Sequence, residues 1–304
     1  MTTHTIIGLD AVIVPELRTG TGENPVWDAT TRRWTWIDIP GRRVHRFDPA
    51  SGALVTWTLA EMIGCLALRP DGSAVAACET GLFALALPEG GGAAGMTRLA
   101  GAAFPKPGMR FNDGRCDRQG RLWVSSMVMD IARGDASGTW YRYTPTEGLR
   151  DGGLGGSIIP NGSAFSPDGR TLYTSDSHRD VCTVWAWDYD PDAGTARNRR
   201  VFADLAGTGG RPDGAAVDAD GGYWICCLDD GCIRRFTPDG RLDRRVDVPM
   251  RKPTMCAFGG DDLATMVVTS LCRGPDDLAG DPHAGRVLMF RPGVPGLPEP
   301  RLLA

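Results

Sequence analysis

The sequence predicts an all-β fold, a six-bladed β-propeller. Three observations lead there. One phrase recurs with variation over residues 22–48, 64–85, 112–143, 161–189, 213–236 and 254–291. Each copy holds a small or apolar stretch, a D-x-x-G-type turn and two β-rich stretches split by a polar break, and repeats of this kind every roughly 40–50 residues mark propeller blades. Helical periodicity is nearly absent, whereas short β-rich runs dominate. The length, 304 residues, accommodates six such blades. A ring of blades must close before its edge strands are protected, so residues 1–304 are expected to form one domain.

The elements follow in chain order. A strand-like piece over 10–15 precedes the first repeat and is expected to pair with the final blade, closing the ring. Strands are then predicted over 33–39, 44–47, 74–78, 122–126, 139–143, 171–175, 184–189, 223–228, 232–236, 266–271 and 286–290. Turns such as Pro70-Asp71-Gly72, Pro167-Asp168-Gly169 and Pro238-Asp239-Gly240 separate them, because Asp side chains cap nearby backbone groups and Gly tolerates left-handed geometry. Gly-rich residues 88–95 and 151–156 read as surface loops, and 271–285 as a longer one.

The formal net charge of −4, without a basic cluster, argues against nucleic acid and anionic membranes as partners. No apolar run is long enough to span a bilayer, and the N-terminal residues lack the basic and apolar regions of a secretory signal. The nine cysteines are odd in number and include no C-x-x-C pair, which speaks against a disulfide framework or a thiolate zinc site. Reduced thiols fit a cytoplasmic setting. Cys226 and Cys227, adjacent on a strand, are expected to point to opposite faces.

In a propeller the first strand of each blade lines the channel, with its first residues at one mouth. At that position the repeats carry Glu23, then apolar Ile63-Gly64, then Arg110, Asn112 and Asp113, then Asn161, Asp213 and Thr254. Turn chemistry explains any one of these motifs, but not acidic and amide residues recurring in phase. Two carboxylates and one or two amide oxygens around one axis suit a divalent cation that prefers oxygen: calcium, magnesium or manganese, with zinc and ferrous iron also compatible. Arg110 lies two residues before Asn112 on a strand, so the two share a face, and Arg110 is placed to grip a polar substrate. None of His4, His45, His178 and His283 falls on a channel-facing position; His178 is the nearest to a rim.

The motifs GENPVW, RFNDG before a D-x-x-G-x-L-W strand, PNG before SPDG and an LY strand, and RPDG resemble the SMP-30/gluconolactonase family, which includes regucalcin and bacterial sugar lactonases. The resemblance runs in order from about residue 22 to residue 290. It implies a six-bladed propeller with one divalent ion in the central channel, held by Glu23, Asn161 and Asp213. It also implies that Asn112 bonds a ligand water and the substrate, and that Arg110 grips the substrate. A family carboxylate that is usually Glu falls on Asp130, one methylene shorter, and Asn24 stands where Gly or Ser is common.

The implied reaction is hydrolysis of a sugar-acid lactone, such as a pentono- or hexonolactone, to the aldonic acid. The metal would act as Lewis acid and Asp213 as general base. Two other readings stay open. One is a calcium-dependent esterase or phosphotriesterase on the same fold, whose own motifs are not found here. The other is a non-catalytic binding propeller.

Overall fold

A computed structural model describes residues 2–303. The repeats fold into six separate sheets of four or five strands. The innermost strands are Gly22–Asp28, Ile63–Leu68, Met109–Cys116, Pro160–Phe165, Arg211–Val217 and Pro253–Gly259. Each packs against the innermost strands of both neighbouring sheets, and the last packs against the first. This closed ring is the six-bladed propeller that the repeats predict.

Each D-x-x-G turn is held by its aspartate. Asp117 Oδ1 accepts the backbone N–H groups of Gln119 and Arg121, and Asp218 Oδ1 those of Asp220 and Gly222. Between blades lie the apolar clusters, with Trp34, Trp36, Trp123, Trp140 and Trp224 fully buried. Cys226 and Cys227 do face opposite sides, each joining a different interblade cluster. All nine cysteines are free and all but Cys272 are buried.

The ring is fastened at three places. Val12–Ile13 pairs antiparallel with Val287–Phe290 as the outermost strand of blade six. Further upstream, Thr3–Ile6 adds a parallel strand outside Leu242–Asp247 of blade five, which the sequence did not announce. The C-terminal residues cross the channel end opposite the motif residues. There Glu299 pairs with Arg115 at 2.6 Å, Arg301 with Asp28 at 2.6 Å, and the Leu302 N–H reaches the Leu68 carbonyl at 2.8 Å. The end lined by Glu23, Asn161 and Asp213 is left open.

Candidate active site

All six channel strands share one irregularity. Pairing with the second strand slips between Glu23 and Val26, Ile63 and Cys65, Phe111 and Gly114, Asn161 and Ala164, Pro212 and Ala215, and Pro253 and Cys256. A bulge bends its strand and re-aims the side chains beside it. The motifs that read as Asn-Gly and Asp-Gly turns are therefore bulges within channel strands. Asn24 and Gly162, each following a predicted ligand, sit at φ 50° and 67°, a region that Gly and Asn tolerate best. Gly162 has a second reason to be glycine: a Cβ there would lie 2.5 Å from Ser175 Oγ and 2.7 Å from the Tyr223 hydroxyl.

The bulges sort the motif residues into two groups. Glu23, Arg110, Asn112, Asn161 and Asp213 face one solvent-open cavity of about 610 Å³, which also takes in Ser177, Arg211, Lys252 and Arg273. The other motif residues join blades. Asn24 Oδ1 accepts the Leu66 N–H at 2.7 Å, and Asp113 Oδ2 accepts the Ser163 N–H at 2.8 Å. Thr254 donates its hydroxyl to the Gly22 carbonyl and meets Thr269 Oγ1 at 2.9 Å. Asp130, expected as a substrate contact, is exposed and does not line the cavity; its neighbour Ile131 does. His178 also lies outside it.

A chain of hydrogen bonds orders the polar wall. Arg110 Nη1 donates to Asn112 Oδ1 at 2.8 Å, and Asn112 Nδ2 donates to Asn161 Oδ1 at 2.9 Å. Asn161 Nδ2 donates to Ser177 Oγ at 2.7 Å, and the Ser177 hydroxyl donates to the Pro212 carbonyl. Ser177 and Pro212 thereby select one orientation of the Asn161 amide. Its oxygen is turned toward Asn112 and keeps a second lone pair for a further partner. Ser177 was not singled out from the sequence, although it ends the SDS phrase after the second strand of blade four.

The carboxylates lack such partners. Glu23 accepts only the Asn24 N–H, at 3.3 Å, and among the described residues no donor reaches the Asp213 carboxylate. Burial, with the charges of Asp213 and Asp113, holds Glu23 well above the ordinary carboxylate range. Burial pushes Asp213 up to about 8 despite the opposing charge of Arg211. Buried, unpaired carboxylates that repel one another are costly, and an oxygen-preferring divalent cation removes that cost. Among the described residues no three His, Cys, Asp or Glu side chains gather about one point; beside the two carboxylates the wall offers the amide oxygen of Asn161. Two carboxylates and a neutral amide fit such a cation.

Residues 21–272 match the family profile described as SMP-30/gluconolactonase/LRE-like region. The chain belongs to this family. It is 38% identical over 281 residues, 92% of this chain and 94% of that protein, to a 6-deoxy-6-sulfogluconolactonase from Pseudomonas putida. It is 33% identical over 265 residues, 86% of this chain and 84% of that protein, to a pentonolactonase from Haloferax volcanii. Among solved structures, the calcium-binding protein regucalcin from Agrobacterium tumefaciens superposes with a TM-score of 0.90 over 100% of both chains at 28% identity. The family match spans the strands that carry Glu23, Arg110, Asn112, Asn161 and Asp213.

Two expectations follow for the site. Ser177→Ala frees the Asn161 amide and is expected to weaken divalent-cation affinity about 10- to 100-fold, as removal of a group that orients a ligand commonly does. Calorimetric titration checks it, and unchanged affinity would dismiss the orienting role. The second concerns pH. Raised carboxyl pKa values favour the neutral forms in the cation-free fold. That contribution is complete below the ordinary carboxylate range and is lost as pH rises toward about 8. Buried His45, lowered to about 4, opposes this trend below the ordinary histidine range, so thermal unfolding of chelated protein should show a Tm that falls from about pH 6.5 to about pH 8, with added cation raising Tm most at the upper end. Equal cation effects at both ends would contradict this.

Proposed function

We propose that the protein is a metal-dependent lactonase that opens an aldonolactone of five or six carbons to the aldonic acid. The observation that carries this reading is the gathering of two donor-poor carboxylates, Asp213 buried and Glu23 half-buried, and an oriented amide oxygen beside the Arg110–Asn112 pair. The activities named for the Pseudomonas and Haloferax relatives support the substrate class. Free, mostly buried cysteines support a reducing, cytoplasmic setting.

Glu23, Asn161 and Asp213 would hold the cation. A divalent ion bound there supplies Lewis-acid polarisation of the lactone carbonyl. Asp213 takes a proton from the attacking water as that water's oxygen bonds to the lactone carbon. It returns the proton to the ring oxygen as the carbon–oxygen bond breaks. Arg110 is fixed by the Phe111 carbonyl at 2.7 Å and by Asn112, leaving other guanidinium N–H groups for the sugar hydroxyls. Asn112 stands between that grip and the Asn161 amide, and so fixes where the reacting carbon of the bound sugar would lie relative to Asp213.

A pH-indicator assay tests the reading. The protein should open aldonolactones with kcat/KM of about 10⁴ M⁻¹ s⁻¹ or more, and should act on an aryl ester or phosphotriester about a hundredfold more slowly. Equal or faster turnover of the aryl ester or phosphotriester would reject the lactone assignment.

A further inference from the structure

Four cationic side chains face the cavity: Arg110, Arg211, Lys252 and Arg273. Two of them are matched by carboxylates of the chain. Arg211 Nε donates to Asp229 at 2.8 Å, and Lys252 Nζ to Asp277 at 2.5 Å. The other two are not. Arg110 bonds only to neutral oxygens, and among the described residues the Arg273 guanidinium has no ion-pair or hydrogen-bond partner. Arg273 is nevertheless placed by its backbone, because its N–H donates to Asp277 Oδ2 at 2.8 Å. Asp277 thus neutralises Lys252 and pins Arg273 while leaving the Arg273 guanidinium free over the mouth. Burial and the charge of Arg273 together lower Arg110 to about 10, so the two guanidiniums sense each other across the opening.

A divalent cation balances Glu23 and Asp213. Once it is bound, the surplus positive charge of Arg110 and Arg273 has no counterpart within the cavity wall. A neutral sugar lactone would leave Arg110, half-buried in the wall, without a counter-charge and Arg273, exposed at the mouth, paired with solvent alone. We propose that the lactone taken by this site carries an ionised substituent, a sulfonate, phosphate or carboxylate, on the carbon remote from the carbonyl, and that Arg273 receives it. The inference rests on the lactonase reading above and adds the substrate's charge. Planar guanidinium groups match such oxyanions through paired hydrogen bonds. Arg273 lies on the segment between Thr265–Ser270 and the short helix Pro275–Gly280, outside the ligand strands, so it contributes to selection rather than to bond breaking.

The test compares kcat/KM for gluconolactone, its 6-sulfonate and 6-phosphate analogues and a 6-carboxylate lactone, with wild type, Arg273→Gln and Arg273→Lys. Wild type should prefer an anionic lactone by about tenfold to a hundredfold, the value of a charged hydrogen bond, and added salt should shrink the preference. The strongest of the three anionic substrates names the group. Arg273→Gln should lose at least tenfold of the anionic-to-neutral ratio through KM, and Arg273→Lys should keep part of it. Neutral and anionic lactones opened within twofold of each other by wild type, or a ratio untouched in Arg273→Gln, would overturn the inference and leave the lactonase reading intact. Failure to open any lactone would overturn both.

Discussion

Asp213→Asn is expected to lower kcat/KM for a sugar lactone by about a thousandfold or more. The substitution keeps the shape of the side chain and removes its charge. It takes away the proposed proton acceptor, a role commonly worth about 10²- to 10⁴-fold, and one of the two carboxylates proposed to hold the cation. The fold should not suffer. The Asp213 side chain is 5% exposed, and among the described residues no donor reaches its carboxylate, so the fold loses no hydrogen bond. In the cation-free protein burial and Asp113 already favour the neutral carboxyl, which the amide resembles, so the Tm of that form should hold or rise. Activity within tenfold of wild type would take Asp213 out of the chemistry.

Removal of the cation should have a comparable effect. Chelation is expected to bring lactone opening to background and to leave a folded chain, since the clusters around Tyr223 and Trp224 and the strand pairing at Val287–Phe290 lie away from the cavity. Activity should return as one equivalent of a divalent ion is added back. The mixed carboxylate and amide donors accept calcium, magnesium, manganese, zinc or ferrous iron, so each is added separately. Full activity in protein shown to be free of metal would end the metal-dependent account.

The ring was legible because its signals are local and repeated. Second and third strands are short β-rich runs between turns, and Ala74–Cys78, Tyr223–Leu228 and Cys232–Phe236 have the boundaries those runs predict. The outermost strands were not legible. Thr195–Asp204 is mostly exposed and opens on a polar run, so no buried β-rich run betrays it; its pairing with Thr183–Asp190 makes it a strand. Thr3–Ile6 is likewise exposed along its length and exists through its parallel partner.

The residues facing the cavity were partly legible for the same reason. Glu23, Asn112, Asn161 and Asp213 recur in phase, and repetition turns a weak local motif into a shared position. What periodicity could not supply is the direction of a side chain at a bulge. Asn112 and Asp113 are adjacent, yet one faces the cavity and the other ties blade three to blade four. Asp130 follows its strand by two residues, where the chain has already turned outward and Ile131 takes the inward position. Ser177, Arg211, Lys252 and Arg273 lie in the segments between strands or at a strand's first residue, where no repeat marks them.

The most direct test of the site is an anomalous-difference map from crystals grown with manganese. One peak per chain is predicted, within about 2.0–2.6 Å of carboxylate oxygens of Glu23 and Asp213 and of Asn161 Oδ1. A map without a peak there, or with its single strong peak elsewhere in the chain, would contradict the site and the chemistry built on it.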